Sequence, residues 1–278
     1  MKIIKVFSTW TDSKSAMETY KNIYHLEEDP DYNVKYKFTA DDDYTHVFIL
    51  NTAMPELKIP KENVIGMAFE PLEFLNLTYQ FVEYAKKHIS KYYIGDTSRL
   101  NLPEPFVEHY AYMWHITVPK SIFVKNKIMS IIVSNKYYLT GHKYRHILTQ
   151  NILKSNLPID IYGRGCKLYD KLNDKRVKGN FEELEPYQDY YFHIAIENSE
   201  TPHYFTEKIT NTLLSNTNVL YLGCKNINKY FDKNVYELNG NIENDMKIIK
   251  EICDNPSKFY SNVDKDEIVK KISILNII

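Results

Sequence analysis

The chain alternates short, β-branched apolar runs with longer stretches whose apolar residues recur at helical spacing. Residues 2–8 (KIIKVFS) predict a first strand and Ser13–Leu26 an amphipathic helix. His46–Leu50 (HVFIL) and Val64–Phe69 (VIGMAF) are two further apolar runs, the second leading into Glu70-Pro71. Asn76–Ile89 sets Phe81, Tyr84, Ala85 and His88 on one helical face, and Lys91–Gly95 (KYYIG) reads as another strand. Around Val118-Pro119-Lys120 the pattern restarts. Ile128–Val133 (IMSIIV), a helix over about Lys143–Lys154 and Ile159–Tyr162 (IDIY) open the second series. Phe192–Ile196, a helix beginning near Thr206, and Val219–Leu222 continue it. Val235–Leu238 is a small last strand, and helices near Ile242–Cys253 and Lys265–Leu275 close the chain. Such alternation implies an α/β protein with mostly parallel sheets covered on both faces. The expected division is 1–119 and 120–278, two Rossmann-like domains facing a central cleft.

Composition narrows the partners more than the fold. A length of 278 residues, 44% hydrophobic and 26% charged, fits an ordinary globular protein of one large or two moderate domains. A net charge of −1 gives no electrostatic reason to expect nucleic acid or an anionic membrane as partner. Cys166, Cys224 and Cys253 are odd in number and lack C-x-x-C spacing, so free thiols are expected instead of a disulfide framework or a zinc site. The opening MKIIKVFSTW is too short an apolar run for a signal peptide or a membrane anchor, and a cytoplasmic protein is expected. The 24 tyrosines fit AT-biased coding first and aromatic walls for sugar rings second.

The most informative stretch is Tyr190–Gly223, where strand, polar loop, helix and strand form a βαβ unit. Such a unit aims the N–H groups and positive dipole end of a helix at the carboxyl end of a strand, a natural seat for phosphate. Glu207 suits the first helical turn. Lys208 beside it opposes the dipole, so it is either a solvated surface cation or a partner for a bound anion.

Glu197-Asn198-Ser199, Tyr204 and Thr206-Glu207-Lys208 together resemble the donor-binding signature of glycosyltransferase family 10, the α-1,3/1,4-fucosyltransferases. Ile196 stands where that signature has phenylalanine, and Asn218-Val219-Leu220 where valine-proline is usual; neither change removes a polar group. Ser134-Asn135, Arg145 and Tyr162-Gly163 extend the resemblance to roughly Ile128–Phe231, and in the first half it is much weaker.

The resemblance implies a GT-B-like fold and inverting, metal-independent transfer of fucose from GDP-β-L-fucose to a glycan hydroxyl. It implies that Arg145 and Lys208 balance the departing diphosphate in place of a metal ion, so that no cofactor is needed. Asn198, Tyr204 and Glu207 match positions that contact the nucleotide or the fucose. A glutamate ending a first-half strand before proline is the family's base; Glu70 matches it, and Glu73 is the competitor. Glu197 is open between a structural part, a cap on the loop and a local salt bridge. Another nucleotide sugar as donor, or an inactive relative that binds glycan or nucleotide, are the alternatives. The acceptor glycan is not legible.

Other patterns carry less. Asp41-Asp42-Asp43 fits a D-x-D metal motif but precedes HVFIL instead of following a strand, which favours a solvated turn. His142 and His146 have i,i+4 spacing without the accompanying glutamate or a third ligand. Gly163-Arg164-Gly165 is too short for a phosphate loop.

Overall fold

Two six-stranded sheets, each parallel throughout its measured pairings, carry the chain. The computed structural model describes residues 1–25, 34–98, 100–121 and 123–278. It divides into two units, the first of residues 1–118, 201–204 and 272–278, the second of residues 119–200 and 205–271.

The first unit holds β1 (Lys2–Ser8), β2 (Tyr36–Thr39), β3 (His46–Leu50), β4 (Val64–Met67), β5 (Lys91–Ile94) and β6 (Phe106–Glu108), in spatial order 2-1-3-4-5-6. Val47, Ile49, Val64 and Tyr92 pack against Phe81 and Ala85 of the helix Tyr79–His88. That helix starts three residues later than its apolar spacing predicts, because Thr78 caps it by accepting the Phe81 N–H. The helix Ser13–Tyr24 is capped by Asp12; its predicted last residue, Leu26, lies outside the described residues.

The second unit holds β7 (Lys127–Ile132), β8 (Ile159–Tyr162), β9 (Val177–Gly179), β10 (Tyr190–Ile196), β11 (Asn218–Leu222) and β12 (Val235–Glu237), in order 12-11-10-7-8-9. Numbered within the unit, that is the doubly wound nucleotide-binding order, and its direction reverses between β7 and β10. Alternation along β10 sends Phe192, Ile194 and Ile196 into a core with Leu148, Ile152 and Ile249. His193, Ala195 and Glu197 lie on the opposite side of the pleat. Both sides are buried, as a covered parallel sheet requires.

The observed bounds depart from the sequence reading in physically clear places. β2, β6 and β9 have three or four residues of mixed polarity and escape detection, because each is an edge strand with a neighbour on one side only. Residues 272–278, expected with the second half, pack with the first unit: Ile274 N–H donates to Tyr24 Oη at 3.0 Å and Lys2 Nζ to the Ile278 carbonyl at 2.7 Å. The last helix accordingly ends at Ile272. All three cysteines are unbridged, and no described helix is long and apolar enough to cross a membrane.

The helix after β7 begins at Thr140, not near Lys143, because Gly141 acts as a contact residue and not as a breaker. A β-carbon there would lie 1.8 Å from the Glu197 carbonyl oxygen, and the Gly141 N–H donates to the Asn198 carbonyl at 3.2 Å. Helix propensity favours alanine over glycine by roughly 1 kcal/mol, whereas overpacking against backbone costs about 1–3 kcal/mol. Gly141→Ala is therefore expected to lower the melting temperature by several degrees. An unchanged or raised melting temperature would show that the loop after β10 yields easily.

Candidate active site

The carboxyl ends of β7 and β10 flank the point where the second sheet reverses direction, and a cavity of about 370 Å³ opens there. Ser134, Arg145, Asn198, Glu207 and Lys208 line its polar side, and Phe181, Tyr187 and Ile194 supply apolar surface. All of these residues belong to the second unit.

Glu197 organises the polar side. Its side chain is 0% exposed. One oxygen accepts the Thr206 N–H at 2.8 Å, and both oxygens accept from Thr206 Oγ1, at 3.0 and 2.9 Å. Thr206 is the N-cap of the helix Glu207–Leu214. The helix N-terminus, expected as an open phosphate seat, already holds an anion of the protein itself. The same carboxylate explains how a lysine survives in the first turn: Lys208 Nζ lies 3.1 Å from Glu197 Oε2 and 3.2 Å from Glu207 Oε1, and donates to Thr206 Oγ1 at 2.8 Å. Burial opposes the ammonium, but Glu197 and then Glu207 outweigh it and hold the Lys208 pKa above the ordinary lysine value. Gly223 makes room for this arrangement, since a β-carbon there would fall 2.4 Å from Glu197 Cγ.

Arg145 enters from the helix Thr140–Lys154 and is 5% exposed. Its Nη2 donates to the Ile196 carbonyl at 2.9 Å and to Asn198 Oδ1 at 3.0 Å, so the arginine fixes the end of β10 and the amide together. Its Nε is buried without a hydrogen-bond partner among the described residues. A buried guanidinium N–H left unpaired is costly unless a ligand completes it.

His142 and His146 sit in different surroundings. His146 is satisfied by Tyr169 Oη at 2.8 Å and the Lys136 carbonyl at 3.2 Å. His142 lines the cavity, with its pKa held down to about 4 by burial first and then by the charges of Arg145 and Lys136. His193, whose Nδ1 lies 2.8 Å from Ser130 Oγ, is pushed by burial to about 3. His109, His115 and His146 shift the same way, again chiefly through burial. These imidazoles stay neutral in the folded protein while the unfolded chain takes up protons below about pH 6.5. Stability is thus intact above that pH and declines as pH falls toward 4, by up to about 1.4 kcal/mol per pH unit per group. A melting temperature several degrees lower at pH 5 than at pH 7 is expected, and His142→Gln should recover part of the loss. Equal melting temperatures at the two pH values would contradict the burial of these rings.

In the first unit, Glu70 lies three residues past β4, half-buried, on the strand's carboxyl side. The segment before it is held firmly. Asn51, in the left-handed region at φ 55°, donates its N–H to the Met67 carbonyl and accepts the Phe69 N–H at Oδ1, both at 2.9 Å. Glu73 is exposed on the following turn. Tyr204 is buried in residues 201–204, which group with the first unit, so it is not part of the second unit's cavity. The exposed Asp42 pairs with the buried Lys5 at 2.8 Å, and among the described residues no three His, Cys, Asp or Glu side chains converge as a ligand set. Sequence reasoning missed the apolar wall of Phe181 and Tyr187, which comes from an irregular loop with no periodicity to read. It also missed His193, which sits unremarked inside an apolar strand.

Residues 122–237 match the model of the family described as "Glycosyltransferase family 10 (fucosyltransferase) C-term", a span that contains every residue named in the cavity. The matched span lies within the second unit apart from residues 201–204. A protein of Acanthamoeba polyphaga mimivirus named "Putative fucosyltransferase R654" is 26% identical over 157 residues. That alignment spans 49% of this chain but only 26% of the mimivirus protein. Among solved structures, an α1,3-fucosyltransferase with GDP is similar over 97% of this chain and 88% of its own, at a TM-score of 0.52 and 15% identity. Anabaena Alr3699/HepE in complex with UDP and glucose is similar over 100% and 97%, at 0.57 and 9%. These likenesses show the fold: it is GT-B-like, with two Rossmann-like units.

Proposed function

We propose that the protein is a glycosyltransferase that moves fucose from GDP-β-L-fucose to a hydroxyl of a glycan, with inversion and without a metal ion. The observation that carries this reading is the convergence of Arg145, Asn198, Glu207 and Lys208 on one cavity inside the span that matches the family 10 model. In the reaction the acceptor oxygen bonds to the anomeric carbon as the bond from that carbon to the β-phosphate oxygen breaks. The acceptor proton passes to Glu70, and GDP leaves with the bonding electron pair. Arg145 and Lys208 would stabilise the charge developing on the diphosphate. Their carboxylate neighbours Glu197 and Glu207 balance them formally, so the attraction rests on directed donors, above all the unpaired Arg145 Nε, more than on excess positive charge. Asn198 and Glu207 offer an amide and a carboxylate to ribose or sugar hydroxyls. Tyr204 is assigned to the donor by resemblance alone.

A UDP-hexose donor is the second reading, favoured by the full-length fold likeness to Alr3699/HepE, whose structure holds UDP and glucose. Thermal shift separates the two, because a ligand at about one hundred times its Kd stabilises the native state by about 2.7 kcal/mol. GDP and GDP-fucose should raise the melting temperature, in EDTA as without it, and UDP and UDP-glucose should raise it less. Stabilisation by uridine nucleotides alone would establish the second reading, and stabilisation only with manganese would overturn metal independence.

A further inference from the structure

We propose that Trp10 is the platform on which the acceptor's pyranose ring lies, forming an aromatic subsite at the carboxyl end of the first sheet; this rests on the transferase reading above. Trp10 stands two residues past β1, and the first sheet reverses direction between β1 and β3. Ligands of open α/β sheets bind at such a reversal, outside the strands' carboxyl ends. A single exposed apolar side chain is ordinary and needs no explanation. Trp10 differs in being held. It is 45% exposed, yet its ring meets Phe69 at 5.6 Å and Trp114 at 6.2 Å between centroids, and those two meet each other at 5.6 Å.

The loop is tied on both sides of the ring. Trp10 N–H donates to Ser8 Oγ at 3.0 Å, and Asp12 caps the following helix by accepting from Lys14 and Ser15, each at 2.9 Å. Beneath the ring, Phe69 is 0% exposed, its N–H is held by Asn51 Oδ1, and the next residue is Glu70. The group assigned to take the acceptor proton and the ring that supports Trp10 are therefore consecutive residues of one anchored segment.

A pyranose has a face of C–H groups with its hydroxyls at the rim, and that face suits an aromatic surface whose π-cloud is negative. A ring fixed before binding offers this contact without having to be ordered by the ligand. The hydroxyls stay at the edge, where one of them can reach a base. A flat nucleobase could also stack on Trp10, and the test distinguishes it.

The experiment uses the full chain with labelled GDP-fucose on a printed array of oligosaccharides ending in β-linked galactose, glucose or N-acetylglucosamine. GDP affinity is measured in parallel by calorimetry. Trp10→Ala should raise the KM for every labelled glycan about tenfold, the size of a lost aromatic contact, with GDP affinity close to wild type. Trp10→Phe should fall between the two. The chain has only two tryptophans, so Trp114→Phe leaves Trp10 as the sole tryptophan, and the tryptophan fluorescence should shift on titration with a labelled glycan. Unchanged acceptor KM in Trp10→Ala overturns the inference, and so does a matching loss of GDP affinity, which would make Trp10 a base platform. A wild type that binds GDP yet labels no glycan also overturns it and leaves the donor reading standing. A wild type that binds no GDP removes the donor reading itself.

Discussion

Glu70→Gln is expected to slow transfer by roughly two or more orders of magnitude, the usual range for loss of a general base, while GDP-fucose binds nearly as to wild type. Glutamine keeps the shape of the side chain but cannot take a proton, so the deficit falls on a step that exists only in the transition state. The fold should tolerate the change, because the neighbouring backbone is anchored independently through Asn51 and Phe69. Glu73→Gln is the matched control, since Glu73 is exposed on the next turn and should keep full activity. Initial rates at saturating donor, with calorimetry for affinity, separate turnover from binding. Full activity in Glu70→Gln with a loss in Glu73→Gln would move the base three residues along the chain. Full activity in both would place it elsewhere.

Lys208→Ala is expected to affect stability as well as catalysis. Glu197 has a side chain 0% exposed and would lose its ammonium partner, and breaking a buried pair from one side costs about 3–5 kcal/mol. That is a large part of a native state's usual 5–15 kcal/mol. The double variant Lys208→Ala/Glu197→Gln should recover most of the stability, because a glutamine oxygen can still accept from the Thr206 N–H and hydroxyl. It should not recover donor affinity, which depends on the missing cation. Residues in direct contact are expected to deviate from additivity in this way. A single variant as stable as wild type would show that Lys208 does not balance Glu197, and a double variant that binds GDP-fucose normally would show that Lys208 does not touch the donor.

What the sequence disclosed, and what it hid, follows from where the groups sit. Asn198, Glu207 and Lys208 were legible because they stand where a strand yields to a loop and a loop to a helix, and both ends leave marks in the residue pattern. Glu197 was readable only as a charge with several possible parts. Its burial under Thr206 and Lys208 depends on Gly223, just past the neighbouring strand, having no side chain. The helix start at Thr140 was hidden by the same property, since a glycine that permits close approach and one that breaks a helix look alike in one dimension. The strands seen in advance include every interior strand of both sheets, where burial on both faces demands unbroken apolar runs. Trp10 had no periodicity to announce it, and its support by Phe69 and Trp114 joins three distant parts of the chain.

The most direct test of the central claim is to follow GDP-β-L-fucose by proton NMR in the presence of the wild-type protein and EDTA, with water as the acceptor. The expected result is slow release of GDP together with fucose that appears first as the α anomer, as inversion at a β-linked donor requires. Release of the β anomer first, or an intact donor under conditions where UDP-glucose is cleaved, would contradict the account.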